Sequence, residues 1–90
     1  MAYIYRLHAI ERMFQRDIEE YQVEEVIEHG EIIEEYHDDK PYPSCLIFGT
    51  YKHRPLHVVY AKDEENNKIV ITVYQPNLEK WQNDFKTRKV

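Results

Sequence analysis

The chain has 90 residues, 42% of them hydrophobic, with eight tyrosines and a net charge of −5. That length supports one domain with a single core, and this apolar content argues against a disordered tail. No apolar run approaches the roughly 20 residues of a membrane span and no signal-peptide block opens the chain, so a cytoplasmic domain with no membrane partner is expected.

The first helix is expected from about Tyr5 to Arg16. At about 100° per residue, Leu7, Ile10, Phe14 and Ile18 fall within one arc and read as the core stripe, while His8, Arg12 and Arg16 step by four along a second, basic stripe. A second helix spans about Glu20 to His29, with Val23, Val26 and Ile27 inward and Gly30 placed as the helix-ending residue. Glu19 is a weak N-cap, so one continuous helix from Tyr5 to His29 is the alternative. Charge is segregated here. From Asp17 to Asp39 there are eleven acids and no Lys or Arg, whereas the rest of the chain holds twelve basic residues against six acids, a net +6. The acidic segment reads either as a solvated helix face or as a docking surface for a basic partner.

Beyond Gly30 the period changes to that of strands. Glu31 to Tyr36 is a first short strand, and the segment from His37 to Ser44 is a loop because Pro41 and Pro43 cannot donate to a ladder. Cys45 to Tyr51 follows as a strand. Cys45 is the only cysteine, so no internal disulfide forms, and its neighbours Leu46 and Ile47 mark it as a small buried residue. Lys52 to Pro55 is a turn; Leu56 to Ala61 and Ile69 to Tyr74 are strands rich in β-branched and aromatic residues, joined by a turn over Lys62 to Lys68. Asn77 is placed to cap a short C-terminal helix carrying Trp81 and Phe85. The expected fold is therefore α+β: two N-terminal helices packed on one face of a four-stranded antiparallel sheet, with a short C-terminal helix.

The last hairpin says most about function. With an even-numbered connection, Leu56, Val58 and Tyr60 share the helix-covered face with Ile69, Ile71 and Val73. The other face then carries His57 and Tyr74 at the same end of adjacent strands. No phosphate-binding glycine loop or helical zinc motif is present. His53 and His57 are split by a proline-containing turn, and His37, Asp38 and Asp39 lack a complete ligand set, so neither a metal nor another cofactor is expected. The residue types suit metal-free RNA cleavage, which needs a base for the ribose 2′-hydroxyl proton, an acid for the leaving 5′-oxygen and cations at the phosphate. His57, Tyr74 and His8 are the candidate catalytic groups; Arg12, Arg16 and Arg88 are the candidate substrate-binding groups.

The residues His8-Ala9, Arg12-Met13 and Arg16, then Val23, Gly30-Glu31, and the pair Pro55-Leu56-His57-Val58-Val59 with Ile71-Thr72-Val73-Tyr74 and Pro76 carry a resemblance. Their order and spacing, over about His8 to Trp81, are similar to those of the domain-of-unknown-function 4258 family. That family resembles the RelE and MqsR toxins and the barnase–EndoU–colicin–RelE fold group. The resemblance implies an endoribonuclease-like sheet with two preceding helices, RNA as substrate, and a cognate antitoxin of small zinc-ribbon type as partner. It points to His8, Arg12, Arg16, His57 and Tyr74 as shared positions. The alternative function is a non-catalytic module of the same fold that docks a basic partner through its acidic segment.

Overall fold

The computed structural model describes residues 2–90. Its elements are β1 (Tyr3–Tyr5), α1 (Leu7–Arg16), α2 (Glu20–His29), β2 (Glu31–Tyr36), β3 (Ser44–Tyr51), β4 (Arg54–Lys62) and β5 (Lys68–Tyr74). The strands form one five-stranded mixed sheet in the order β1-β5-β4-β3-β2. The expected four-stranded antiparallel sheet is thus corrected by β1, which pairs parallel to β5 with Tyr3 opposite Lys68 and Tyr5 opposite Val70. Three residues are too few to show a period, and the strand's partner lies more than sixty residues away.

α1 ends at Asp17, which adopts the left-handed conformation (φ 56°) that Asp tolerates better than most residues. The Ile18 N–H then donates to the Met13 carbonyl at 2.8 Å, closing the last turn. One continuous helix is thereby excluded, and α2 starts afresh at Glu20. Val23, Val26 and Ile27 are buried as expected. Gly30 does its work differently from expectation. Its backbone is extended, and a Cβ there would come within 2.5 Å of the carbonyl oxygens of Val26 and Phe48. It is a close-approach glycine, not a left-handed cap.

The orientation of α1 overturns the expected core stripe at Leu7, Ile10 and Phe14 and keeps it at Ile18. Ala9, Met13 and the following Ile18 are buried, whereas Leu7 is 71% exposed, Ile10 48% and Phe14 89%. The buried side is rotated by about 100° from the apolar stripe, and the basic stripe lies on its other flank.

The helices cover the sheet face that presents Ile47, Leu56, Val58, Tyr60, Val70 and Val73, which with Ala9, Met13, Ile18, Val23, Val26 and Ile27 form the core. Val58 pairs with Val73 as the parity argument requires, but an irregularity between Val59 and Tyr60 shifts the register. Tyr60 then pairs with Val70, so Val70 replaces the expected Ile69 and Ile71 on the helix face. The connection after Lys62 spans five residues rather than an even number, because Lys62 pairs with Lys68. Asp63 closes it by accepting hydrogen bonds from the N–H groups of Glu65 and Asn67, each at 2.9 Å. The β3–β4 hairpin turns on Lys52 and His53, both with positive φ, as a two-residue turn matched to strand twist requires.

No C-terminal helix forms. Asn77 caps one turn, accepting from the N–H groups of Glu79 and Lys80, and Trp81 then bridges antiparallel to Arg88. Between them Asp84 accepts from the N–H groups of Lys86 and Thr87, and Phe85 takes positive φ. Such side-chain turns give the backbone an alternative to helix.

Candidate functional site

β3, β4 and β5 align Phe48, His57 and Tyr74 in one row, since Phe48 pairs with His57 and His57 with Tyr74. The row lies on the sheet face away from the helices, as parity predicts. The C-terminal segment folds across it. The Trp81 ring sits edge-on to His57 at 4.5 Å between centroids, and Phe85 stacks near Phe48 at 6.4 Å. His57 is fully buried.

Its two ring nitrogens are both engaged. Nε2 lies 2.7 Å from the Phe85 carbonyl oxygen, and Nδ1 lies 3.0 Å from the Tyr74 hydroxyl. A carbonyl oxygen only accepts, so Nε2 carries the proton and donates. In the neutral ring Nδ1 is then the acceptor, and the Tyr74 O–H donates to it. Burial pushes the imidazole below its usual pKa, which favours this neutral form, although the Phe85 carbonyl partly opposes the shift. Burial likewise raises the Tyr74 phenol, with the Arg88 charge acting the other way.

Tyr74 is half-buried and forms part of a cleft of about 380 Å³. Arg12 and Arg16 from α1 and Lys80, Trp81 and Arg88 from the C-terminal segment complete its working surface. Topology explains the meeting: β1 pairs only with Lys68–Val70, leaving the Tyr74 end of β5 as a free edge around which both faces of the sheet contribute. Among the described residues, no carboxylate lines the cleft. Arg12 and Arg16 are exposed and form no ion pair among the described residues. Arg88 is anchored from two sides, with Nε 2.8 Å from Glu34 and its guanidinium 4.6 Å from the Trp81 ring centroid. The hydrogen bond from Arg88 holds the Glu34 carboxyl below its usual range, and the pairing raises the arginine in turn.

Arg54 fixes the wall. Its guanidinium donates to the carbonyl oxygens of Arg16 and Asp17, and to Gln75 Oε1 at 3.2 Å, tying the end of α1 to the end of β5. A cation there also suits the negative end of the helix dipole.

The structure therefore brings together Tyr74, Arg12, Arg16 and Arg88 from the expected set. It seats His57 behind Tyr74, sealed from solvent. His8 is exposed on the same stripe one turn before Arg12, but it does not line the cleft. Lys80, Trp81 and Arg54 were not anticipated as site residues. The lone tryptophan flanked by Lys80 and followed by Arg88 was the available signal for the first two; Arg54 gave none, because its partners are two backbone carbonyls and one neutral side chain, Gln75. His53, in an exposed turn, and the buried His57 do not converge, and among the described residues no three His, Cys, Asp or Glu side chains gather as metal ligands. No helix among those residues is long and apolar enough to cross a membrane.

Chemically the cleft can hold an anion on fixed and free cations beside a phenol whose proton is shared with a buried imidazole. Neither a curated protein nor a solved structure matches the chain. A family model, the domain of unknown function DUF4258, matches residues 5–75, a span that takes in both helices and all five strands apart from the first residues of β1 and stops short of Trp81, Phe85 and Arg88. The chain, matched over more than two thirds of its length, belongs to the DUF4258 family.

Proposed function

We propose that the chain is a metal-independent endoribonuclease that cleaves RNA by 2′-hydroxyl attack, acting in the cytoplasm as the toxin of a toxin–antitoxin pair. The observation that carries this reading is the Tyr74–His57 hydrogen bond opening onto a cleft with two unpaired arginines. In the reaction the 2′-oxygen bonds to phosphorus while the bond from phosphorus to the 5′-oxygen breaks. Tyr74 takes the 2′-hydroxyl proton as its own passes to His57 Nδ1, so His57 acts through Tyr74 without touching the substrate. The Phe85 carbonyl, bonded to Nε2, supports the imidazolium that results. His8, a turn beyond Arg12, is the candidate donor to the leaving 5′-oxygen. Arg12, Arg16 and Arg88 hold the phosphate oxygens as charge builds on them, with Lys80 beside them.

The alternative, a non-catalytic module docking through its whole acidic segment, is weakened by how that segment spends its carboxylates. Glu24 accepts from Tyr5 at 2.9 Å, and Glu28, Glu31 and Glu34 pair with Lys68, Lys86 and Arg88 at 2.8, 3.2 and 2.8 Å. None of them neutralises Arg12 or Arg16. The partner expected of a toxin remains a cognate antitoxin, of small zinc-ribbon type.

The test is incubation of the purified chain with RNA in excess chelator. Cleavage should persist and leave 2′,3′-cyclic phosphate ends. Tyr74→Phe keeps the ring and removes the proton path, and should lose about 10²–10⁴-fold in rate. Activity abolished by chelator and restored by a divalent cation would reject the mechanism, and full activity in Tyr74→Phe would remove Tyr74 from it.

A further inference from the structure

α1 carries three faces, and only two are used. Ala9 and Met13 pack into the core, and Arg12 and Arg16 border the cationic cleft. The third face presents Leu7, Ile10 and Phe14, all exposed, although their spacing is that of a packing stripe. Beside it, where α1 turns into α2, lies a groove of about 480 Å³ with Ile10, Met13, Phe14 and Ile18 as its apolar surface. Asp17, Glu19 and Glu20 complete its lining, with no basic residue among them. These three form no ion pair among the described residues, unlike Glu28, Glu31 and Glu34 further along the segment.

We infer that this groove is a docking site for a basic amphipathic polypeptide segment, whose apolar side chains cover Ile10 and Phe14 and whose Lys or Arg residues meet Asp17, Glu19 and Glu20. Charge selects this occupant. An anionic membrane or an RNA strand would meet three carboxylates at the groove. A second copy fares no better: antiparallel pairing of α1 about Ile10 would set Glu11 of one copy against Glu11 of the other, between chains that each carry −5. A basic helix laid along the stripe satisfies both the apolar floor and the acidic rim, the arrangement of a helix in a groove. The site stands apart from the cationic cleft, and the inference does not depend on RNA cleavage.

The experiment measures fluorescence anisotropy of a labelled peptide with Leu at helical i, i+3, i+4 and i+7 positions and Lys elsewhere, titrated with the full chain. The same peptide with Glu in place of Lys is the control. The Lys peptide should bind, and its binding should weaken as salt is raised. Phe14→Ser, at a position 89% exposed and so harmless to folding, should weaken it about tenfold or more. The triple change Asp17→Asn, Glu19→Gln, Glu20→Gln should also weaken it, with asparagine keeping the left-handed geometry at position 17. No binding of the Lys peptide, unchanged binding in Phe14→Ser, or equal Phe14-dependent binding of the Glu peptide would overturn the assignment. Self-association of the chain at assay concentration that Phe14→Ser abolishes would overturn it in favour of a dimer.

Discussion

Replacing Trp81 by alanine tests the link between the C-terminal segment and the buried histidine. Trp81 is 2% exposed, its ring meets His57 edge-on at 4.5 Å, and Arg88 lies over it at 4.6 Å. Truncating a buried aromatic to alanine typically costs about 3–5 kcal/mol. The lower end applies here, about 3 kcal/mol, because the segment can relax instead of preserving a rigid cavity. Its remaining ties to the sheet include the Arg88–Glu34 and Lys86–Glu31 pairs, which are substantially exposed and contribute little. Once the indole is gone, water reaches the imidazole. Desolvation is the largest cause of its depressed pKa, so the His57 pKa should rise back toward 6.5. Urea unfolding followed by circular dichroism measures the first effect, and an NMR titration of the His57 ring protons measures the second. A loss below about 1 kcal/mol, with an unchanged titration, would refute the reasoning that this segment is what buries His57.

Other outcomes follow from the same geometry. Stability should fall as the pH drops below 6.5, because the unfolded chain protonates His57 while the folded state, with its lowered pKa, resists; the added stability is present above 6.5 and declines through the window below it, and His57→Gln should remove that part of the pH dependence in denaturant titrations. The depressed Glu34 carboxyl adds a second loss at lower pH, as the solution passes below 4.5 toward its folded pKa, and Arg88→Ala, which removes the largest cause of the depression, should reduce it. Gly30→Ala should destabilise by about 1–3 kcal/mol, since the new Cβ would lie 2.5 Å from two carbonyl oxygens; unchanged thermal unfolding would contradict the close approach. Arg12→Ala should weaken binding of single-stranded RNA and reduce the slope of log K against log salt by roughly 0.7, whereas a slope equal to that of the unaltered chain would place Arg12 outside the phosphate contacts.

α2 and strand β4 were legible because each announces its own buried side. Val23, Val26 and Ile27 repeat at helical spacing, and Leu56, Val58 and Tyr60 alternate; in both cases the inward residues are the ones the core uses. His57 and Tyr74 shared a face by parity alone, and the register pairs them. The stripe of His8, Arg12 and Arg16 follows in the same way from four-residue steps on an unbroken helix. The shift of the inward role from Ile69 and Ile71 to Val70 was not legible, since one extra residue in β5 reverses the alternation without altering composition.

Local periodicity determined which residues of this protein share a side, because sidedness depends only on backbone geometry within a few residues. What covers each side was decided by tertiary structure. α1 has one apolar stripe in sequence, yet the sheet receives Ala9 and Met13 instead, and Leu7, Ile10 and Phe14 are left outside. Periodicity cannot separate a stripe meant for the core from one meant for a partner, since both place the same residues at the same spacing. The same holds for His57: parity put it away from the helices, but only the return of the C-terminal segment, through Trp81 and Phe85, turned a surface imidazole into a buried one that reaches the cleft through Tyr74. That burial depends on contacts between segments more than twenty residues apart, and no pattern within either segment encodes it.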